Sequence, residues 1–387
     1  MAGALDGILV ADLSRVLAGP YATMLLADLG ATVVKVERPG AGDDTRAWGP
    51  PFAPDGQSTY FQSVNRNKLS IALDLTDPAD RAVAAQLAYS ADVLVENYRP
   101  GALSRFGLAY DDVHPRNPGL VYCSISGFGS DAGADLPGYD LLAQAMGGLM
   151  SITGAEEPTK AGVALVDVLT GLHAAVGILA ALRHREATGE GQHLEVTLLS
   201  ALQSSLVNQA SAFVGAGVVP TLLGNAHPSI APYEVYRTGD RPLVLAVGND
   251  GQFAKLVTVL GRPDLADDER FARNPARVAN RAELNRSLEA ELAHAGADEW
   301  QQRLTAVGVP CGPINDVEQG FALAERLGLD PIVDIDDPRR TAPSRQVANP
   351  VAYSRTPPEY RSAPPDVDED RGAVLELLAR RGANRDD

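Results

Sequence analysis

ILVADLSRVLAGPYATMLLADLGATVVKVE, residues 8–37, is the stretch that decides the fold class. Residues 8–13 are apolar apart from one aspartate and predict a buried strand. Pro20 opens a helix predicted to run to about Leu29, and Gly30 ends it. Residues 31–37 predict a second strand. Strand, helix and strand in this order form a βαβ unit, whose two strands lie parallel in one sheet.

The same alternation of strands and helices continues along the chain. Further strands are predicted at residues 69–75, 91–96, 119–126 and 193–198, and helices at about 76–90, 140–150 and 200–213, with a short helix around Arg105. The composition changes after about residue 215, where a second unit with a strand at 243–247, charged helices and a turn at 311–316 is predicted. From about residue 330 the chain is rich in proline and is predicted to be irregular, before a last helix at 371–381.

The first βαβ unit lacks the glycine pattern of a dinucleotide site. No GxGxxG follows the first strand, which disfavours an NAD-dependent dehydrogenase. Glu37 ends the second strand, but Arg38 follows it, and an arginine there suits a ribose phosphate. Coenzyme A carries such a phosphate.

Other polar side chains follow the predicted strands at their carboxyl ends, where open parallel sheets bind ligands. Those at or near these ends are Arg15, Arg38, Asn97, Tyr98, Arg99 and Arg105. Together they offer donors and an aromatic ring to a nucleotide phosphate. The alternative is a set of solvated loop arginines.

Residues 160–192 form a long apolar segment that contains one carboxylate, Asp167. Apolar residues recur there at helical spacing, so most of the segment is predicted to be one buried helix. Asp167 is expected in or just before the first turn, where unpaired N–H groups favour an anion. It is either an N-terminal cap or a reactive carboxylate in a mostly dry pocket.

Composition excludes several classes of protein. The formal charge is −17 over 387 residues, which disfavours a nucleic-acid partner. The two cysteines and six scattered histidines have no metal-ligand spacing, so no metal site is expected. No apolar run is expected to reach the length that spans a membrane. The first residues lack the pattern of a signal peptide. The sequence therefore predicts a cytoplasmic protein without a membrane partner.

Several separated blocks of sequence resemble class III coenzyme A transferases, the CaiB/BaiF family that includes formyl-CoA transferase. The blocks are residues 11–43, 65–75, 91–103, 137–154, the Asp167 segment, 224–236, 247–253, 274–285 and 308–317. Their order and number make the resemblance specific, although no single block is decisive.

The resemblance implies an α/β fold with a Rossmann-like large domain and a smaller inserted α+β domain, in an interlocked homodimer. The large domain would comprise residues 1–215 and a return segment, 329–387, and the small domain residues 222–328. Coenzyme A and its thioesters would be substrates, together with a small carboxylic acid, and no cofactor would be bound permanently.

The resemblance also implies roles for individual residues. Asp167 matches the nucleophilic aspartate. Positions that match or neighbour coenzyme contacts are Val16, Leu17, Arg38, Leu73, Asn97, Tyr98, Arg99, Arg105 and Tyr139. Gly248 and Gly251 belong to a loop that closes over the reacting carboxylate, and Gln252 either positions that carboxylate or is a solvated loop residue.

The sequence departs from the family pattern at several points. Thr76 and Pro137 replace lysines that some members place at coenzyme contacts, and residues 366–370 (DVDED) lack the common Gly-Glu-His. The loop GNDGQ differs from the glycine run of formyl-CoA transferase, which weakens a formate or oxalate assignment.

The predicted activity is transfer of coenzyme A through aspartyl anhydride and aspartyl-CoA thioester intermediates. The nearest alternative is a 2-methylacyl-CoA racemase on the same fold, which needs an acid and a base on opposite sides of a carbon. Tyr139 stands where that racemase has histidine, and a group with a pKa of about 10 is a poor substitute. A non-catalytic acyl-CoA binding protein is the remaining alternative.

Overall fold

A computed structural model of the chain describes residues 3–383. Its largest sheet is parallel. Within those residues the sheet has six strands in the order β3-β2-β1-β4-β5-β6. Their bounds are β1 Leu9–Asp12, β2 Thr32–Glu37, β3 Lys68–Ala72, β4 Val93–Glu96, β5 Val121–Ser126 and β6 Gln192–Thr197. This is the strand order of Rossmann-type sheets, so the predicted α/β class is confirmed.

The chain divides into two compact units. The first, here the sheet unit, comprises the described residues up to Leu149, Ala161–Val218, and those from Asp330 onward. The second, here the small unit, comprises Met150–Lys160 and Val219–Leu329. Residues 150–160 therefore group with the small unit, whereas the sequence analysis assigned them to the first segment of the large domain.

The third strand is shorter than predicted. It ends at Ala72 rather than at residue 75, because its neighbour β2 ends at Glu37, directly opposite Ala72. As an edge strand, β3 also presents unpaired backbone groups. The carboxylates of Asp370 and Asp368 accept the N–H groups of Ser70 and Ala72, at 2.9 and 2.8 Å respectively. The acidic segment that departs from the family pattern thus covers this edge.

Helices cover both faces of the sheet. Within the part of the sheet unit that the structure describes they are α1 Ala18–Asp28, α2 Thr59–Gln62, α3 Pro78–Ser90, α4 Tyr110–Val113, α5 Asp140–Met146, α6 Leu165–Thr188, α7 Leu198–Ser205, α8 Val207–Ala216 and α15 Arg371–Ala383, with short 3-10 turns at Asp44–Ala47 and Ser104–Phe106. One core lies between the sheet and α3 with α15, and another between the sheet and α1 with α6. Strands buried on both faces explain the nearly continuous apolar runs of the sequence.

The single helix predicted at 200–213 is two helices. The backbone breaks after Leu206, and Val207 has a φ of 43°, which a continuing helix cannot contain. A hairpin of β10 Ile332–Ile335 and β11 Ser344–Val347 likewise replaces part of the predicted irregular return segment. Prolines around both strands concealed their pattern.

By length and composition α6 is apolar enough to cross a membrane, so the expectation that no run reaches that length was wrong. In the structure α6 packs on α1 and on the sheet. Gly171 permits this approach, because a Cβ there would lie 2.6 Å from the carbonyl oxygen of Ala18. Leu172, Val176 and Leu179 on another part of α6 are exposed.

The small unit has its own antiparallel sheet and core. Its strands, in the order β7-β8-β9, are β7 Tyr233–Tyr236, β8 Leu243–Ala246 and β9 Cys311–Pro313. Its described helices are α9 Asp250–Val259, α10 Asp264–Asp267, α11 Asn274–Ala279, α12 Arg281–Leu292, α13 Ala297–Thr305 and α14 Val317–Arg326, with a 3-10 turn at Met150–Ile152. Cys311–Pro313 was predicted as part of a turn, but it pairs with β8.

Candidate active site

The loops that follow β1 and β4 are joined by side-chain hydrogen bonds at the carboxyl end of the sheet. The Asn97 amide oxygen accepts the backbone N–H of Arg15 at 2.8 Å, and its NH₂ donates to the Arg15 carbonyl at 2.7 Å. β1 and β4 are neighbours in the sheet, and the order of the strands reverses between them, because β2 and β3 lie beyond β1 whereas β5 and β6 lie beyond β4. The two loops therefore flank the switch point, where such sheets bind ligands.

The loop after β1 has an uncommon backbone conformation at Val16, with a φ of 69°. For a β-branched residue this is a true outlier, of the kind that persists where the surroundings determine it. Here the Val16 N–H donates to the Asp43 carboxylate at 3.2 Å, and the buried ammonium of Lys35 donates to Asp43 at 2.9 Å and to the Ser14 carbonyl at 3.1 Å. Burial alone would raise the pKa of Asp43, but Lys35 and hydrogen bonds from Thr45 lower it to about 2.

A second buried ion pair lies under the same loop. Lys68 Nζ is 3.0 Å from Asp12 Oδ2, and both side chains are fully buried. Burial lowers the pKa of Lys68 to about 8, although Asp12 opposes this change. Asp12 also accepts hydrogen bonds from the hydroxyls of Ser14 and Thr23. The sequence analysis assigned none of these buried charges a role, because charged side chains are ordinarily exposed.

Two cavities have residues of both loops in their walls. The first, here the Asp167 cavity, has a volume of about 270 Å³. The second, here the Arg38 cavity, has a volume of about 370 Å³ and also contains Thr76 in its wall. Among the described residues, Arg15 and Tyr98 line both cavities. The two cavities therefore meet at this pair of side chains.

Every residue predicted to contact coenzyme A lines one of the two cavities. Val16, Leu17, Asn97, Tyr98, Arg99 and Tyr139 line the Asp167 cavity together with Asp167 itself. Arg38, Leu73, Tyr98 and Arg105 line the Arg38 cavity. The structure thus brings together residues that are up to about 150 positions apart in the sequence.

Asp167 is the third residue of α6, and Ala164 occupies the N-cap position. The interpretation of Asp167 as the cap of this helix is therefore wrong. That role falls to Asp140 in α5, whose Oδ1 accepts the N–H of Val166 at 2.8 Å and of Asp167 at 3.2 Å. The Gln144 amide fixes Asp140 in turn, at 2.6 Å.

The surroundings of Asp167 favour its neutral form. Burial, chiefly, and the Asp140 carboxylate raise the pKa of Asp167 from about 3.8 to about 7. The N–H groups that could have stabilised its charge are already bound to Asp140. The same negative potential reaches Tyr60, whose pKa is raised to about 12 by burial and then by Asp167. A carboxylate this poorly solvated is a stronger nucleophile than an exposed one.

The predicted glycine loop lies in the small unit, between β8 and α9. Asn249 caps α9, because its side-chain oxygen accepts the N–H of Gln252 at 2.9 Å, and the side-chain amide oxygen of Gln252 (Oε1) accepts the N–H of Gly248 at 2.8 Å. Arg277 anchors Asp250 at 2.7 Å. The Gln252 side chain therefore orders this loop, while Gly248 and Gly251 are exposed.

Comparison with known proteins identifies the family. The profile of CoA-transferase family III matches residues 5–371. A succinate–glutarate CoA-transferase of Agrobacterium fabrum is 44% identical over 97% of this chain and 95% of its own length. An acetyl-CoA:oxalate CoA-transferase of Acetobacter aceti is 40% identical over 96% of this chain and 95% of its own.

A solved structure agrees with these sequences. A CaiB/BaiF family protein from Brucella suis has a TM-score of 0.87 and 41% identity, over 98% of this chain and all of its own. The related enzymes are named as transferases, which supports transfer over the racemase and the non-catalytic binder. The chain belongs to CoA-transferase family III and is an enzyme that transfers coenzyme A between an acyl-CoA and a carboxylic acid.

Proposed function

We propose that Asp167 is the nucleophile of this transfer. The observation that carries the proposal is a poorly solvated carboxylate, with a pKa of about 7, in the wall of a cavity that meets a second one large enough for part of a nucleotide. A carboxylate nucleophile divides one difficult exchange between acids into easier covalent steps.

In the first half-reaction, an Asp167 oxygen attacks the carbonyl carbon of the donor thioester. The C–S bond breaks, coenzyme A leaves as a thiolate, and the acyl group stays on Asp167 as a mixed anhydride. The thiolate then attacks the aspartyl carbonyl, which forms an enzyme–CoA thioester and releases the donor carboxylate. The acceptor carboxylate repeats the two steps in reverse and regenerates Asp167. No oxidant or added cofactor is needed, and coenzyme A is a substrate throughout.

The glycine loop that the family resemblance assigns to the reacting carboxylate is proposed to stabilise the oxyanions. The N–H groups of Gly248 and Gly251 are suited to this role because glycine allows close backbone approach. The Gly248 N–H donates to the side-chain Oε1 of Gln252, so we infer that Gln252 releases it when an oxyanion forms. Water must be excluded during these steps, or the anhydride would hydrolyse.

The coenzyme is proposed to extend across both cavities of the sheet unit. Its adenosine 3′-phosphate would bind in the Arg38 cavity and its pantetheine arm in the Asp167 cavity, so that residues 1–215 with the return segment form the coenzyme-binding domain. At least one of the two exchanged acids is proposed to be a small dicarboxylic acid, as succinate, glutarate and oxalate are in the names of the relatives. Arg99, in the wall of the Asp167 cavity, is a cation available to a second carboxylate.

The enzyme is proposed to be a cytoplasmic homodimer. The apolar side chains of Leu172, Val176 and Leu179 on α6, and of Phe213 and Val214 on α8, are exposed in the single chain, and exposed apolar surface of this kind often marks an interface. A second copy would cover them, as the family resemblance implies. Sedimentation equilibrium tests this: a monomer at micromolar concentration would rule the dimer out.

The nucleophile is tested by trapping. The protein is incubated with succinyl-CoA, glutaryl-CoA or oxalyl-CoA, treated with hydroxylamine and digested, and the peptide containing Asp167 is weighed by mass spectrometry. We expect a hydroxamate on Asp167 that depends on the thioester and is absent in Asp167→Asn. Full turnover by Asp167→Asn, or a hydroxamate on another residue alone, would refute the assignment.

A further inference from the structure

Arg15 lies at the point where the two cavities meet, whereas the sequence analysis placed it only in a group of donors that could bind a nucleotide phosphate. A molecule that places a nucleoside in the Arg38 cavity and a thioester beside Asp167 has to pass Arg15 and Tyr98, which line both. In coenzyme A the group between the adenosine and the pantetheine arm is the diphosphate. We propose that Arg15 binds this diphosphate, and that Asp44 holds Arg15 and Arg38 until the coenzyme displaces it, an inference that rests on the proposed function.

The backbone that carries Arg15 is fixed before any ligand binds. Asn97 pairs with both the N–H and the carbonyl of Arg15, at 2.8 and 2.7 Å. On either side, the buried Lys35 holds the carbonyl of Ser14, and Asp43 holds the N–H of Val16. A binding group on such a support loses little freedom when its ligand arrives.

The guanidinium of Arg15 still has donors to offer. It lies over the ring of Tyr98, 5.2 Å from the centroid, and its Nη1 is 3.5 Å from the Asp44 carboxylate. Its buried Nε has no hydrogen-bond partner among the described residues. A buried donor without a partner is costly, and a phosphate oxygen would satisfy it with a charge-assisted hydrogen bond.

Arg15 is needed for phosphate binding because the lysines near the two cavities are either replaced or already paired. Thr76 lines the Arg38 cavity and Pro137 the Asp167 cavity, at the two positions where some family members have lysine. The ammonium of Lys35 in the same region is already paired with Asp43 and fully buried. A coenzyme with several phosphate charges therefore depends on the arginines that remain, and Arg15 is the one between the cavities.

Asp44 is the group that the diphosphate would displace. Its carboxylate forms ion pairs with both Arg15 and Arg38, and it is nearly half exposed. Exposed pairs of this kind are weak and exchange readily. A carboxylate at this position also repels the phosphates, so it opposes coenzyme binding while it keeps the two arginines in place.

The test measures binding of coenzyme A and dephospho-CoA by calorimetry, without turnover. We expect Arg15→Ala to weaken both ligands by about 10- to 100-fold, because both carry the diphosphate. Arg38→Ala should weaken coenzyme A but change dephospho-CoA much less, since that ligand lacks the 3′-phosphate. Asp44→Asn should strengthen coenzyme A by a few-fold. Arg116→Ala removes an arginine stacked on Tyr89, outside both cavities, and should leave both affinities unchanged.

Each contrary result has a distinct meaning. If Arg15→Ala binds coenzyme A as tightly as the unaltered enzyme does, the role of Arg15 is overturned. If Arg15→Ala weakens the binding of coenzyme A but not of dephospho-CoA, Arg15 binds the 3′-phosphate instead. Weaker binding by Asp44→Asn overturns the displacement. Failure of the unaltered enzyme to bind coenzyme A would refute the proposed function itself. Arg15→Gln, with circular dichroism of both variants, separates lost contacts from lost folding.

Discussion

The Asp140 carboxylate accepts the backbone N–H of Asp167 at 3.2 Å, which keeps a second negative charge beside the proposed nucleophile. The same oxygen accepts the N–H of Val166 and so caps α6 from another helix. One residue thus positions Asp167 and also raises its affinity for a proton. Conversion of Asp167 to an acyl derivative removes its charge and with it the repulsion, which favours the first covalent step.

Replacing Asp140 with asparagine should shift the pH dependence of catalysis. The reaction needs ionised Asp167, whose raised pKa of about 7 in the free enzyme predicts that kcat/KM falls as the pH drops through 7. Asp140→Asn keeps an oxygen for the two N–H groups but removes the charge, so the acidic limb should move to lower pH. The move should be partial, because burial is the larger cause. A limb that stays in place would show that Asp140 does not act on the ionisation of Asp167.

Replacing the nucleophile should stabilise the fold at alkaline pH. The folded-state pKa of Asp167 is raised from about 3.8 to about 7, so folding favours its protonated form and this contribution is lost as the pH rises through that range. Asp167→Asn avoids the loss. The free energy of unfolding of Asp167→Asn should exceed that of the unaltered enzyme by at most roughly 4 kcal/mol at pH 8, and the difference should vanish below pH 4. Urea unfolding at both pH values measures it, and equal advantages at both would contradict the pKa.

The sheet was predictable because its strands are buried on both faces. Leu9 and Val10 point into cores on opposite sides of the sheet, so each strand is nearly continuously apolar, a pattern that a single sequence displays. The residues at the ends of these strands follow from the topology once the sheet is parallel. The β10–β11 hairpin has no such signal, because short exposed strands between prolines resemble a loop.

The electrostatic support of the site was not predictable from sequence. Lys35, Asp43, Lys68 and Asp12 are charged, and composition alone places such residues at the surface. Their burial depends on pairing across up to 56 positions, as for Lys68 with Asp12. Likewise, Asp140 caps α6 from 27 positions before Asp167, so the interpretation of Asp167 as a cap was reasonable locally and wrong in three dimensions.

Removing Lys68 should destabilise the sheet unit strongly. Lys68→Met leaves Asp12 buried without its ion-pair partner, and breaking such a pair typically costs about 3–5 kcal/mol. Lys68→Met combined with Asp12→Asn should recover much of that loss, because no unpaired charge remains. Guanidinium unfolding gives the three free energies. The control is Arg183→Ala, which breaks an exposed pair with Glu186 and should leave stability nearly unchanged. A double variant no more stable than Lys68→Met would contradict the argument.

Replacing Val16 with glycine should separate stability from coenzyme binding. A φ of 69° costs a β-branched residue about 1–3 kcal/mol, whereas the added freedom of glycine in the unfolded chain costs about 0.5–1 kcal/mol. Val16→Gly should therefore be about as stable as the unaltered enzyme or slightly more stable. Its affinity for coenzyme A should nevertheless fall, because the valine side chain lines the Asp167 cavity. Val16→Ala keeps the Cβ and should lose affinity without the gain in stability. If Val16→Gly is clearly less stable than Val16→Ala, the loop is not strained at this residue, and its φ reflects only the hydrogen bond of its N–H to Asp43.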